Sequence, residues 1–203
     1  LRPYYRLGRV ATFLASRKWG IQLVNFLSFV LKSKKLKGVQ NQEVYISGRS
    51  NTDHKIRLRI YRPKNNPARL PVMLYLHGGG YSMGIPEQVD AFYKDIIDHR
   101  PVIIVAPDYR HSLKHPFPAG FNDCYDTLLW IRDHAADLNA NDDIIVAGHS
   151  AGGGLAAAVT LKARDTDDAE IAFQMPIYPM IDHRMSTPSA QTMHSTPIWD
   201  ARC

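Results

Sequence analysis

The sequence predicts an α/β protein built on a mostly parallel, wound sheet with helices on both faces. Three observations carry that expectation. Four runs are apolar almost without interruption: Val72-Met73-Leu74-Tyr75-Leu76, Val102-Ile103-Ile104-Val105-Ala106, Ile144-Ile145-Val146-Ala147 and Ile171-Ala172-Phe173-Gln174-Met175-Pro176-Ile177. Strands that are apolar on both faces belong to parallel sheets covered by helices. Stretches of helical length and mixed periodicity, 87–99, 121–136 and 151–164, fill the gaps between these runs, so the succession β-α-β-α-β-α-β implies right-handed crossovers. Finally, 203 residues with 45% apolar content suffice for one such domain with a real core.

Ahead of the sheet, the segment 19–31 reads as a helix with apolar residues on nearly every side, followed by the lysines at 32, 34, 35 and 37. A helix of that kind needs a cover. Either it packs over the domain as part of a lid, or it lies against lipid headgroups with its lysines on the anionic side. It is too short to cross a bilayer, which takes roughly 20 residues. Two short strands follow, Val44-Tyr45-Ile46 and Ile56-Arg57-Leu58-Arg59-Ile60-Tyr61, with Asn51-Thr52-Asp53 marking the turn. They are expected as an antiparallel hairpin at a sheet edge, the second half-exposed because it alternates apolar with basic residues. Residues 63–71 form a polar connector.

Charge is uneven along the chain. Residues 1–64 hold 15 Lys and Arg against Glu43 and Asp53 alone, while the remainder holds 10 against 17. The formal net charge of +6 is therefore a property of the N-terminal third. No nucleic-acid fold signature accompanies it, so nucleic acid is not expected as a partner. Two cysteines, Cys124 and Cys203, are too few for a disulfide framework and have no metal-ligand spacing, which suits a reducing, cytoplasmic setting.

The chemistry centres on Gly148-His149-Ser150-Ala151-Gly152, between the apolar run ending at Ala147 and the small-residue segment Gly153-Gly154-Leu155-Ala156-Ala157-Ala158. A buried strand there runs into a helix with a serine at the corner, a sharp and strained turn that lifts the hydroxyl clear of the sheet. Upstream, at the end of another strand, lies His77-Gly78-Gly79-Gly80. Glycines let backbone N–H groups turn outward toward a ligand, and two such donors can meet a developing oxyanion together with the N–H of Ala151. Found together at strand ends of one sheet, the two glycine clusters point to acyl transfer.

These residues also carry a family resemblance. Tyr75-Leu76-His77-Gly78-Gly79-Gly80-Tyr81, Asp108-Tyr109-Arg110, His115-Pro116-Phe117-Pro118-Ala119 with Asp123, and Gly148-His149-Ser150-Ala151-Gly152-Gly153 resemble the hormone-sensitive-lipase family of α/β-hydrolases from about residue 44 to 182. The resemblance implies an α/β-hydrolase fold with a partial helical cap and hydrolysis of small-molecule carboxylic esters without metal or organic cofactor. Ser150 would be the nucleophile, and Gly78, Gly79 and Ala151 the oxyanion donors. It divides the chain into an N-terminal cap segment, 1–40, a hydrolase core, 41–182, and the start of a cap insertion, 183–203. The family more often has Asp where this chain has His149. Related folds leave two other readings open: a non-catalytic small-molecule-binding protein, or a formamidase or amidase.

A serine needs a base, normally a histidine oriented by a carboxylate, and in this fold the order is Ser, acid, His. After Ser150 only His183 and His194 occur, both in the segment resembling the cap, with Asp182 as an acid in an uncommon position. The sequence, which opens on Leu1 rather than Met, is therefore expected to be a piece of a longer esterase lacking the last strands, with little turnover alone. His77 is expected to brace the glycine loop and His115 to belong to its proline turn. Asp108, Arg110 and Asp123 are expected in ion pairs behind the site, and the acids at 142–143 and 165–168 in solvated loops.

Overall fold

The computed structural model describes residues 17–30, 36–49, 52–182 and 184–192. Two compact units are distinguished, residues 32–180 and a second unit of 1–31 with 181–203. The larger contains a six-stranded sheet. Its strands are β1 (Val39–Ser47), β2 (Lys55–Pro63), β3 (Leu70–Leu76), β4 (Ile103–Asp108), β5 (Ala140–His149) and β6 (Phe173–Ile177), in the spatial order β1-β2-β4-β3-β5-β6. β1 and β2 pair antiparallel, β2 runs antiparallel to β4, and β4, β3, β5 and β6 are mutually parallel. The second unit contains helix α1 (Lys18–Val30) and the short α5 (Pro188–Thr192). Among the described residues no helix is long and apolar enough to cross a membrane.

Between the strands lie α2 (Asp90–His99), preceded by a 3-10 turn at Pro86–Val89, then α3 (Ala119–Asp133) and α4 (Ala151–Thr166). The period of two along the central strands explains why both faces are dry. Val72, Leu74 and Leu76 join Ile103, Val105, Ile144 and Val146 in a core with Cys124 and Leu128 of α3 and Ala156 and Val159 of α4. The alternate residues Met73, Tyr75, Ile104, Ala106 and Ala147 form the opposite core with Tyr93 and Ile97 of α2. Each fully buried Leu, Ile or Val is worth about 1.5–3 kcal/mol of transfer free energy, so the two cores hold the parallel strands from both sides.

The hairpin differs from expectation in two respects. Pairing runs from Val39↔Pro63 to Ser47↔Lys55, well beyond the apolar triplet at 44–46, because backbone ladders continue under polar, solvent-facing side chains. One basic position of β2 is not half-exposed, whereas Arg59 and Arg62 are partly exposed as expected: Arg57 is buried, with Nη1 2.7 Å from Glu87 Oε1 and Nη2 2.8 Å from Asp108 Oδ2. Carboxylates arriving from the 3-10 turn and from the end of β4 make that burial tolerable. The expected helix at 87–99 is also divided, its first turn being 3-10 after Pro86. Phe173 in β6 is exposed, and β6 pairs with β5 alone among the described strands.

Candidate active site

The site grows out of two neighbouring parallel strands. Register pairs Tyr75 with Ala147 and Leu76 with Gly148, so β3 and β5 end side by side and their following loops must meet. Those loops are the glycine segment 77–80 and the serine corner.

Ser150 sits between β5 and α4 at φ 54°, ψ −121°. A non-glycine residue at positive φ is strained and persists only where its surroundings over-determine it. Here the Ser150 N–H donates to Ile177 O at 3.0 Å, and its carbonyl accepts from the Gly154 and Met180 N–H groups at 3.1 and 3.0 Å. The flanking glycines are needed for proximity: a Cβ on Gly152 would lie 2.0 Å from Leu76 O, and one on Gly148 2.3 Å from Gly152 O. No larger residue lets α4 start so close to the end of β3. Among the described residues no side chain hydrogen-bonds Ser150 Oγ. The two histidines weighed as its base, His183 and His194, lie outside the described residues, and Asp182 belongs to the other unit, where it pairs with Arg184 at 2.8 Å.

The glycine loop is braced as expected by His77. Its ring is wholly buried and stacks on Tyr109 at 4.2 Å, and its Nδ1–H donates to Gly78 O at 2.8 Å. Burial pushes the ring down to about 3, so His77 stays neutral. Tyr109 Oη in turn donates to His77 O at 2.7 Å. Beyond it the chain turns sharply, with Gly79 at φ 130° and Gly80 at φ 57°; a Cβ on Gly79 would lie 1.8 Å from Met83 O.

One expected role needs correction. The Gly78 N–H donates to His149 Nε2 at 3.1 Å and so is not available to an oxyanion. The N–H groups of Gly79, Gly80 and Ala151 have no protein acceptor among the described residues, and that of Ala151 opens α4, where unpaired donors and the helix dipole favour negative charge. The sequence does not show which N–H of three adjacent glycines is bonded within the protein; His149 opposite Gly78 decides it.

Asp108, Arg110 and Asp123 stand in ion pairs as expected. Arg110 Nη2 lies 2.7 Å from the buried Asp123 carboxylate, and Asp108 is held by Arg57. His115 is exposed in its turn, and Asp142 and Asp143 are exposed. Asp168 instead accepts hydrogen bonds from Tyr125 and Thr166 at 2.5 and 2.8 Å.

A wound sheet with a strained serine at the end of its fifth strand and a glycine loop at the end of its third defines the class of α/β-hydrolases, and the comparisons agree. The family model for the alpha/beta hydrolase fold matches residues 73–202, and the chain belongs to this family, in its hormone-sensitive-lipase-like branch. It is 36% identical over 146 residues to carboxylesterase NlhH of Mycobacterium tuberculosis, covering 71% of this chain and 46% of that protein. It is 33% identical over 130 residues to an arylesterase of Saccharolobus solfataricus, covering 64% and 42%. Among solved structures, a bacterial heroin esterase superposes with a TM-score of 0.83 at 33% identity, covering 92% of this chain and 59% of that one. The chain thus spans less than half the length of the curated relatives it matches.

Proposed function

We propose that this chain carries the nucleophile and oxyanion hole of a serine esterase acting on small-molecule carboxylic esters. The observation that carries the reading is the positive φ of Ser150 at a strand-to-helix corner, alongside a loop whose Gly79 and Gly80 N–H groups have no protein acceptor among the described residues. Ser150 Oγ attacks the ester carbonyl, and the N–H groups of Gly79, Gly80 and Ala151 stabilise the tetrahedral oxyanion. A base, expected in the order Ser, acid, His, takes the Ser150 proton and gives it to the leaving alcohol; the acyl-Ser150 ester that remains is hydrolysed by water, whose proton the same base takes and returns to Ser150 Oγ. The esterase names of the relatives support the substrate class. The sparse cysteines, with Cys124 buried as a free thiol, support a cytoplasmic setting.

The test is hydrolysis of short-chain p-nitrophenyl esters, with matched amides in parallel, by the full-length protein and its Ser150→Ala variant, residues 1–203 alone being expected to show little turnover. Turnover of esters that falls by at least about a thousandfold in the variant is expected. Unchanged turnover would remove Ser150 from the chemistry, and preference for the amides would overturn the ester assignment.

A further inference from the structure

We propose that His77, Asp108 and His111 form a binding site for one divalent transition-metal ion of the zinc type, under the glycine loop and using no group from the serine corner. One ligand atom of each residue lies within 4.8 Å of the other two. Each residue is also anchored through one polar atom while another is left unpaired. His77 donates Nδ1–H to Gly78 O at 2.8 Å, leaving Nε2 buried without a partner among the described residues. The His111 ring bonds the backbone of Gly84, and its Nε2 is likewise buried and has no partner among the described residues. Asp108 Oδ2 accepts from Arg57 Nε at 2.9 Å and lies 2.8 Å from Nη2, and no described group donates to Oδ1.

Buried polar atoms without partners are uncommon in folded proteins, and each calls for an explanation. Two unprotonated imidazole nitrogens cannot satisfy one another, nor can either satisfy a carboxylate oxygen, because all three are acceptors. A cation satisfies all three at once. The backbone carbonyls that hold the opposite ring nitrogens are the partners metal-bound histidines ordinarily have, since they fix the tautomer and aim the free lone pair. Two imidazoles and one carboxylate suit zinc and its neighbours, with water filling a fourth position, and do not suit Mg²⁺ or Ca²⁺, which take oxygen ligands.

Arg57 does not make the site repulsive overall. In the cluster around it, Arg57 and Arg59 face three carboxylates, Glu43, Glu87 and Asp108. Tetrahedral coordination at about 2.1 Å needs ligand atoms roughly 3.4 Å apart, so the site contracts on binding. His77 is fixed by its stack on Tyr109, while Asp108 and His111 are only half-buried and supply the movement. The bound ion ties the end of β3 to the segment after β4 and stiffens the loop bearing Gly79 and Gly80.

The experiment is calorimetric titration of the chelator-treated chain with Zn²⁺, with thermal melting in parallel and Mg²⁺ as the control ion. About one Zn²⁺ per chain and a rise in melting temperature are expected, Mg²⁺ giving neither. His111→Ala, and independently Asp108→Asn, should abolish both responses while circular dichroism shows a folded protein. Absence of binding, or stoichiometric binding retained by folded His111→Ala, would overturn the proposal in favour of a bridging water or an exposed adventitious site. Should neither variant fold, Co²⁺ absorption on the unmodified chain decides. Visible bands of an ion ligated by nitrogen and oxygen support the site, and the spectrum of the hydrated ion rejects it.

Discussion

Gly78 and His149, 71 residues apart, are joined by a 3.1 Å hydrogen bond from the Gly78 N–H to His149 Nε2. Because Nε2 accepts, the neutral ring carries its proton on Nδ1, and Nδ1–H points to Tyr75 Oη at 3.1 Å. The residue before Ser150 thereby fixes the first glycine of the 77–80 loop, and the glycines beyond it inherit their position. The fit is close: a Cβ on Gly78 would sit 2.7 Å from the His149 ring.

Protonation of His149 breaks this link, since Nε2–H and the Gly78 N–H would then both be donors. Burial holds the ring below the usual histidine value. The folded state thus resists a proton that an unfolded histidine accepts near pH 6.5. The stability His149 contributes is therefore complete above about pH 6.5 and is lost as pH falls through that value toward the folded one. His149→Gln, whose amide oxygen can take the place of Nε2, should cost about 1 kcal/mol at pH 7.5 and flatten part of the stability loss between pH 7 and 5. His77 and His111, which burial also holds low, contribute slope of the same sign. Urea unfolding across that pH range measures both effects; an unaltered slope would show that His149 does not carry the link.

Much of the fold was legible because it is local. The apolar runs 72–76, 102–106 and 144–147 mark buried parallel strands on their own, and the serine corner follows from a strand abutting small residues. What escaped depends on residues distant in sequence. Gly78 loses its N–H only because β3 and β5 pair in the register that puts Leu76 opposite Gly148. Arg57 resembles a solvent-facing position in an alternating strand until Glu87 and Asp108 arrive from two other segments. His77, Asp108 and His111 likewise meet only through the β3–β4 pairing. Periodicity reports which face a residue takes, and it is silent about the partners that face will meet.

Arg57 is the next quantity to test. Burial alone would raise the Glu87 carboxyl, yet the hydrogen bonds and charge of Arg57 leave it below its ordinary value. Removing the guanidinium strands a buried carboxylate, so Arg57→Ala should destabilise the fold by about 3–5 kcal/mol. The double variant Arg57→Met with Glu87→Met should lose much less than the sum of the single changes, with a coupling of about 1–3 kcal/mol in chemical denaturation. The depressed Glu87 carboxyl adds stability that is present above its unfolded value and lost as pH falls through its lower folded value. That acid-side loss should vanish in the double variant. Simple additivity would show that the pair acts independently.

Ser150 offers a measure of what the proposed nucleophile corner costs the fold. Its φ of 54° and ψ of −121° lie where a side chain is strained, and backbone outliers of this kind cost about 1–3 kcal/mol. Ser150→Ala removes the hydroxyl and keeps the Cβ, so the strain remains and stability should stay within about 0.5 kcal/mol of the parent. Ser150→Gly removes both. It gains the relief of strain and gives back up to about 1 kcal/mol because the unfolded chain becomes more flexible. The net expectation is a gain of about 1 kcal/mol for glycine over alanine, read as a higher midpoint in guanidinium unfolding at unchanged slope. Neither variant should hydrolyse esters. If glycine were less stable than alanine, the corner would not be strained by its Cβ, and the turn would owe its shape to the bond to Ile177 and the bonds from Gly154 and Met180 alone.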